Sequence, residues 1–245
     1  MTMNPSSRPR LALAFALLAT LQVHGHGQTL SEQLKAREAA GSGKVTPEVK
    51  AAFADGIAAI DEAKIVEGAK QVGDAAPDFT LANATGEEVT LSETLKQGPV
   101  VLTWYRGGWC PYCNITLAAM QKALPAIQEA GATLLALTPE LPDKSLTTQE
   151  KYGLEFEVLT DLNHQVAKQY HILFKLTPEV EVLYGKFFDL ADYNGAEAGT
   201  DTLPLAATYI IGQDGIIRWA FIHHDYHMRA EPADIVAFLK ELKAE

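Results

Sequence analysis

The stretch VVLTWYRGGWCPYCN, Val100 to Asn114, constrains this chain more than any other. VVLTW is a continuous apolar run with no turn residue in it, as expected for a strand buried on both faces of a sheet. Behind it a helical pattern runs from about Asn114 to Ala130, with Leu117, Met120, Leu124 and Ile127 on one face. Pro125 is expected to kink that helix. The chain's only two cysteines, Cys110 and Cys113, therefore sit where a buried strand hands over to a helix.

The rest of the chain repeats the alternation. Phe79–Leu81 and Val89–Leu91 read as short strands around the turn NATGEE. ATLLALT (Ala132–Thr138) is a second buried strand. Helical Gln149–Tyr152, extended Val158–Leu159 and helical Gln165–Tyr170 follow it. Leu173–Thr202 shows no clean periodicity and reads as an insertion with little regular structure. ATYIIG and IIRWAFI flank GQDG (Gly212–Gly215), the strongest hairpin signal in the chain, and Pro232–Lys243 closes it as an amphipathic helix. Together these elements predict an α/β domain with a mixed sheet flanked by helices.

Ahead of that domain the texture differs. Arg8 and Arg10 precede the apolar run LALAFALLATL, then VHGHGQ, which reads as a secretory signal over residues 1–27 and is too short to span a bilayer. Residues 28–71 read as a helical arm: SEQLKAREAAG up to GSG, then a helix capped by Thr46 with Pro47 first, and Val49, Phe53, Ile57 and Ile60 on one face. The arm is expected to pack on the main domain, residues 72–245, with a homodimer contact as the alternative. Export places the chain in the periplasm or outside the cell, soluble, where paired thiols oxidise unless they are kept reduced. The net charge of −11, or −13 once the two leader arginines are gone, argues against nucleic acid or an anionic membrane as partner.

At the mouth of a helix Cys110 meets free amides and the positive end of the dipole, which favour a thiolate. Arg106 adds positive charge from four residues upstream. Cys110 is then the exposed, reactive sulfur of low pKa. Cys113, one turn into the helix and buried, resolves what forms on Cys110 by closing a disulfide. Pro111 stiffens the turn, and Trp109 and Tyr112 complete its surroundings. A permanent disulfide over so short a loop stabilises little. A metal centre needs more than two thiolates, and IHHDYH (His223, His224, His227) is the only histidine cluster that could add to them. Two readings compete with a thiol peroxidase: a protein thiol–disulfide oxidoreductase that never meets peroxide, and a copper-binding module built from Cys110, Cys113 and one of these histidines. His164 and His171 read as surface or helix-end residues. No cofactor is expected.

From about Val72 onward the chain resembles the alkyl hydroperoxide reductase/thiol-specific antioxidant family of peroxiredoxins, in the thioredoxin superfamily. The matching stretches are VGDAAPDFTL, GPVVLTWYRGGWCPYCN, TLPLAATYIIGQDGIIRW and HDYHMRAEP. The resemblance covers about two thirds of the chain and is closest to the branch that carries a CxxC pair. It implies a thioredoxin-like fold and reduction of peroxides or disulfides through Cys110, with an external dithiol protein as reductant. Typical members carry a proline and a threonine where this chain has Thr103 and Gly107. A second arginine or a cis-proline is usual where it has Ala206, with Pro204 two residues earlier. Arg106 is the obvious substitute for the missing peroxide-activating groups.

Overall fold

Val100–Trp104 forms strand β3, and all five of its side chains are buried. Such a strand needs a neighbour on each edge and a layer on each face, and it has both edges paired. In this computed structural model β3 is the centre of a five-stranded sheet ordered β5-β4-β3-β8-β9. Parallel to it run β4 (Thr133–Thr138) and then β5 (Glu157–Thr160). On its other edge β8 (Thr208–Ile211) and β9 (Ile217–Phe221) are antiparallel and joined by the GQDG turn. The mixed sheet is the one expected. The structure describes residue 1, residues 28–196 and residues 199–244; the leader expected over residues 1–27, its first methionine apart, lies outside them.

Helix α5 (Pro111–Glu129) follows β3 and continues through Pro125 without ending there. Its buried face, Cys113, Leu117, Met120, Leu124 and Ile127, joins the core of the sheet. The closing helix α10 (Pro232–Ala244) packs beside it. The first hairpin is β1 (Thr80–Ala82) with β2 (Glu88–Thr90), its turn tied by Asn83 Oδ1, which accepts the Thr85 and Glu87 amides. Leu91, expected to end a strand, instead opens helix α4 (Leu91–Leu95). Helix α6 (Pro142–Tyr152) packs near β5.

Beyond β5 a 3-10 turn, Leu162–His164, leads into helix α7 (Gln165–Gln169). His171 is exposed after it and His164 sits at the helix start, both within what was expected, but His164 is buried, and burial pushes its imidazole down to a pKa of about 4. The Asp161 carboxylate beside it accepts the Val166 and Ala167 amides, which draws this turn into the interior.

Much of the segment expected to be irregular carries regular structure. Strand β6 (Leu173–Lys175) pairs antiparallel with β7 (Thr202–Pro204), and between them lie α8 (Pro178–Phe187) and α9 (Leu190–Asn194). The cause is a Thr–Pro start like the one at Thr46–Pro47. Thr177 Oγ1 accepts the Val180 amide, Pro178 takes the first helical position, and Val180 and Tyr184 bury one face.

The N-terminal arm contains α1 (Leu30–Ser42), α2 (Pro47–Glu62) and the single turn α3 (Ile65–Gly68). α1 packs on α5 through buried Leu30 and Leu34, and α2 packs on α8. The Glu231 carboxylate accepts the amides of Leu30 (3.1 Å) and Ser31 (2.6 Å), so the core caps the arm's first helix. No helix among the described residues is long and apolar enough to cross a membrane.

Candidate active site

Cys110 is the residue just ahead of α5, extended at φ −86° and ψ 111°, and Pro111 is the first helical residue. The loop that delivers it is tightly specified. Gly107 has φ +145°, and a Cβ there would lie 2.2 Å from the Trp109 indole nitrogen, so Trp109 packs where a side chain at 107 would be. A Cβ on Gly108 would meet Thr148 Oγ1 at 2.1 Å. The Gly108 carbonyl accepts Asn114 Nδ2 at 2.8 Å, and the Gly107 carbonyl accepts the Cys110 amide at 3.0 Å. Both glycines and the asparagine after Cys113 thus have a packing reason. Thr103 stays in the β3 ladder, opposite Thr208, with their hydroxyls 2.8 Å apart.

Arg106 meets both sulfurs. Its Nη2 donates to Cys110 Sγ at 3.1 Å, and its backbone amide donates to Cys113 Sγ at 3.5 Å. Nη1 donates to the Tyr184 hydroxyl at 2.8 Å, and the guanidinium lies 4.2 Å from the ring centre of Tyr226. A second arginine, Arg229, donates to Cys113 Sγ at 3.7 Å and is fixed by the carbonyls of Tyr226 and Met228. Burial alone would push the Cys110 thiol up. The hydrogen bond from Cys113 and the charges of Arg106 and Arg229 outweigh it and hold Cys110 well below the usual thiol range. Cys113 moves the other way: burial, the bond to Cys110 and its charge push the second thiol well above that range.

One expectation fails. Both thiols are free, and both are fully buried, so Cys110 is not exposed. Its sulfur faces Arg106, and an aromatic cluster closes over that arginine: Trp109 packs 5.4 Å from Tyr184 and 4.8 Å from Phe188, ring centre to ring centre. Tyr184 and Phe188 belong to the segment whose order the sequence reading missed. Tyr112 is half-buried at the other side of the turn, against the edge of His227.

Three further groups escaped the sequence reading. Arg229 lies in HDYHMRAEP, beside the histidines that drew attention there. Tyr184 fixes Arg106 from α8. Glu140, just past β4, is fully buried, and its carboxylate accepts the Gly108 amide at 2.8 Å. Burial pushes this carboxyl up to about 7, against the stabilising amide of Gly108 and the neighbouring Tyr105 hydroxyl. The histidines of IHHDYH do not complete a metal centre. Among the described residues no group of three or more His, Cys, Asp or Glu side chains is placed to hold a metal ion. The cysteines face two cations instead, which disfavours a copper site.

A narrow cleft, open to solvent and with about 30 Å³ of room for water-sized groups, reaches Arg106. Ala206 and Pro204 line one wall, and every described peptide bond, that of Pro204 included, is trans.

Residues 72–220 match the AhpC/TSA family, more than half of the chain and all of the cysteine loop. The chain belongs to the AhpC/TSA family. Its relatives include peroxiredoxin Bcp of Escherichia coli K12, 31% identical over 103 residues, which covers 42% of this chain and 65% of that one. The thiol-disulfide oxidoreductase ResA of Geobacillus kaustophilus is 31% identical over 102 residues, covering 41% and 58%. The chain thus spans less than two thirds of the length of these relatives. Among solved structures, peroxidoxin BcpB from Mycobacterium tuberculosis superposes with a TM-score of 0.54 at 20% identity, over 70% of this chain and 97% of that one. A reduced 2-Cys peroxiredoxin from Plasmodium vivax gives 0.55 at 18%, over 71% and 83%. These likenesses show the family's thioredoxin-like fold.

Proposed function

We propose that this family member is an exported thiol-dependent peroxidase in which Cys110 is the nucleophile and Cys113 the resolving thiol. The observation that carries this reading is the 3.1 Å contact between the Arg106 guanidinium and Cys110 Sγ. A thiolate held there attacks the terminal oxygen of a hydroperoxide. The S–O bond forms, the O–O bond breaks, and the departing alkoxide or hydroxide takes a proton from solvent. Arg106, whose Nε has no hydrogen-bond partner, is the donor available to the negative charge that develops on oxygen. Cys113 then attacks the sulfenic acid of Cys110. An S–S bond forms, water leaves, and an external dithiol protein reduces the disulfide while it is itself oxidised. Steady-state consumption of hydrogen peroxide and of an organic hydroperoxide with a dithiol donor tests this; reaction no faster than that of a free thiol ends the peroxidase reading.

A second reading, thiol–disulfide exchange without peroxide, is favoured by the placement of Cys110 just ahead of α5 and Cys113 in its first turn, three residues apart. In that case the same protein reduces a model disulfide substrate and leaves both peroxides untouched.

A further inference from the structure

Part of the lining of the cleft that reaches Arg106 comes from the arm, which lies outside the residues that match the family. Phe53, Gly56, Ile57 and Ile60 of α2 line it together with Val180 of α8 and Ala206, while Lys175, His223 and His224 add polar groups. These positions are the apolar face of α2, yet only Ile60 is buried; Phe53 and Ile57 are left half-buried where the helix faces the cleft. α2 approaches α8 so closely at Gly56 that a Cβ there would lie 2.8 Å from Val180 Cγ2. Arg106, in the same lining, is 3% exposed, and its Nε–H is a buried donor with no partner. A buried, unmatched donor in a largely apolar cleft suits a molecule with an acceptor oxygen at one end and an apolar body behind it.

We propose that α2 is the specificity element of this site, with Ile57 and its neighbours holding the apolar body of an organic hydroperoxide while Arg106 receives its oxygens. The inference rests on the peroxidase reading and adds to it that the arm chooses among peroxides. Hydrogen peroxide has no apolar body, so it reports on the chemistry without the arm. A compound such as cumene hydroperoxide reports on both.

The test compares kcat/KM for cumene hydroperoxide and for hydrogen peroxide in the full chain, in Ile57→Ser and in Gly56→Ala, each variant first checked for an unchanged melting profile. The ratio is expected to fall about tenfold through KM for cumene hydroperoxide, in Ile57→Ser as for the loss of one apolar group in a binding cleft and in Gly56→Ala because the added methyl crowds Val180 and displaces α2. An unchanged ratio, or a parallel fall in both rate constants, overturns the proposal. Titration with 2-phenyl-2-propanol, the alcohol left after reduction, followed by tryptophan fluorescence, separates this failure from failure of the peroxidase reading. Saturable binding that Ile57→Ser weakens supports the arm's role whatever the turnover. No saturable binding to the wild-type chain overturns it.

Discussion

Nη2 of Arg106 lies 3.1 Å from Sγ of Cys110, on a side chain whose other terminal nitrogen is held by the Tyr184 hydroxyl at 2.8 Å. The guanidinium therefore has one orientation, which lysine cannot reproduce with a single ammonium. In a Cys113→Ser background, Arg106→Met is expected to raise the Cys110 midpoint by about one pH unit or more, read from thiolate absorbance. That leaves about tenfold less thiolate at a given acidic pH. Arg106→Lys is expected to restore part of the charge effect and little of the rate.

Gly107→Thr installs the residue that typical relatives carry three positions before the reactive cysteine. Its Cβ would start 2.2 Å from the Trp109 indole at φ +145°, so the variant is expected to lose about 2 kcal/mol or more of stability. Denaturant unfolding measures this. Pairing the change with Trp109→Ala relieves the clash and leaves only the backbone strain, so the double variant is expected to recover part of the loss.

How much of this was legible in the sequence depends on how local each signal is. The strand at Val100–Trp104, the helix beginning at Pro111 and the joint that carries Cys110 follow from a run, a period and a proline, all within one stretch. The helix at Pro178 was equally local, marked by Thr177–Pro178, but five nearby aromatics and glycines blurred its period. Arg229 and Glu140 are different in kind. They reach the cysteine loop, Arg229 at Cys113 and Glu140 at Gly108, through segments distant in sequence, and no spacing in the chain encodes that approach. The exposure expected for Cys110 failed for the same reason: its cover comes from Arg106 and the distant Tyr184.

Glu140 makes stability depend on pH. Its carboxyl is raised from an ordinary 4.5 to about 7, so the folded state binds a proton that the unfolded chain releases. The associated stability is fully present below pH 4.5 and is lost as pH rises through 7, a loss of about 3 kcal/mol. Wild-type melting temperatures are expected to fall between pH 5 and pH 8 from this group. Glu140→Gln, which keeps an acceptor for the Gly108 amide, is expected to flatten that slope, as scanning calorimetry across the range checks.

Glu231 caps the arm. Its oxygens take the Leu30 and Ser31 amides, and Arg229 lies two residues away on the same loop. Glu231→Ala is expected to cost about 1 kcal/mol, as for loss of a helix cap. The amides of α1 are expected to lose protection from hydrogen exchange while those of α5 keep it. Equal loss in both helices would mean that the cap supports the whole domain rather than the arm.

The division of labour between the thiols is tested most directly by intact mass after a stoichiometric dose of peroxide, with Cys113→Ser and Cys110→Ser side by side. Cys113→Ser is expected to gain one oxygen, mapped to Cys110, far faster than a free thiol reacts at the same pH, and Cys110→Ser is expected to gain none on that timescale. Equal oxidation of the two variants, or oxygen found first on Cys113, would contradict the assignment of Cys110 as the nucleophile.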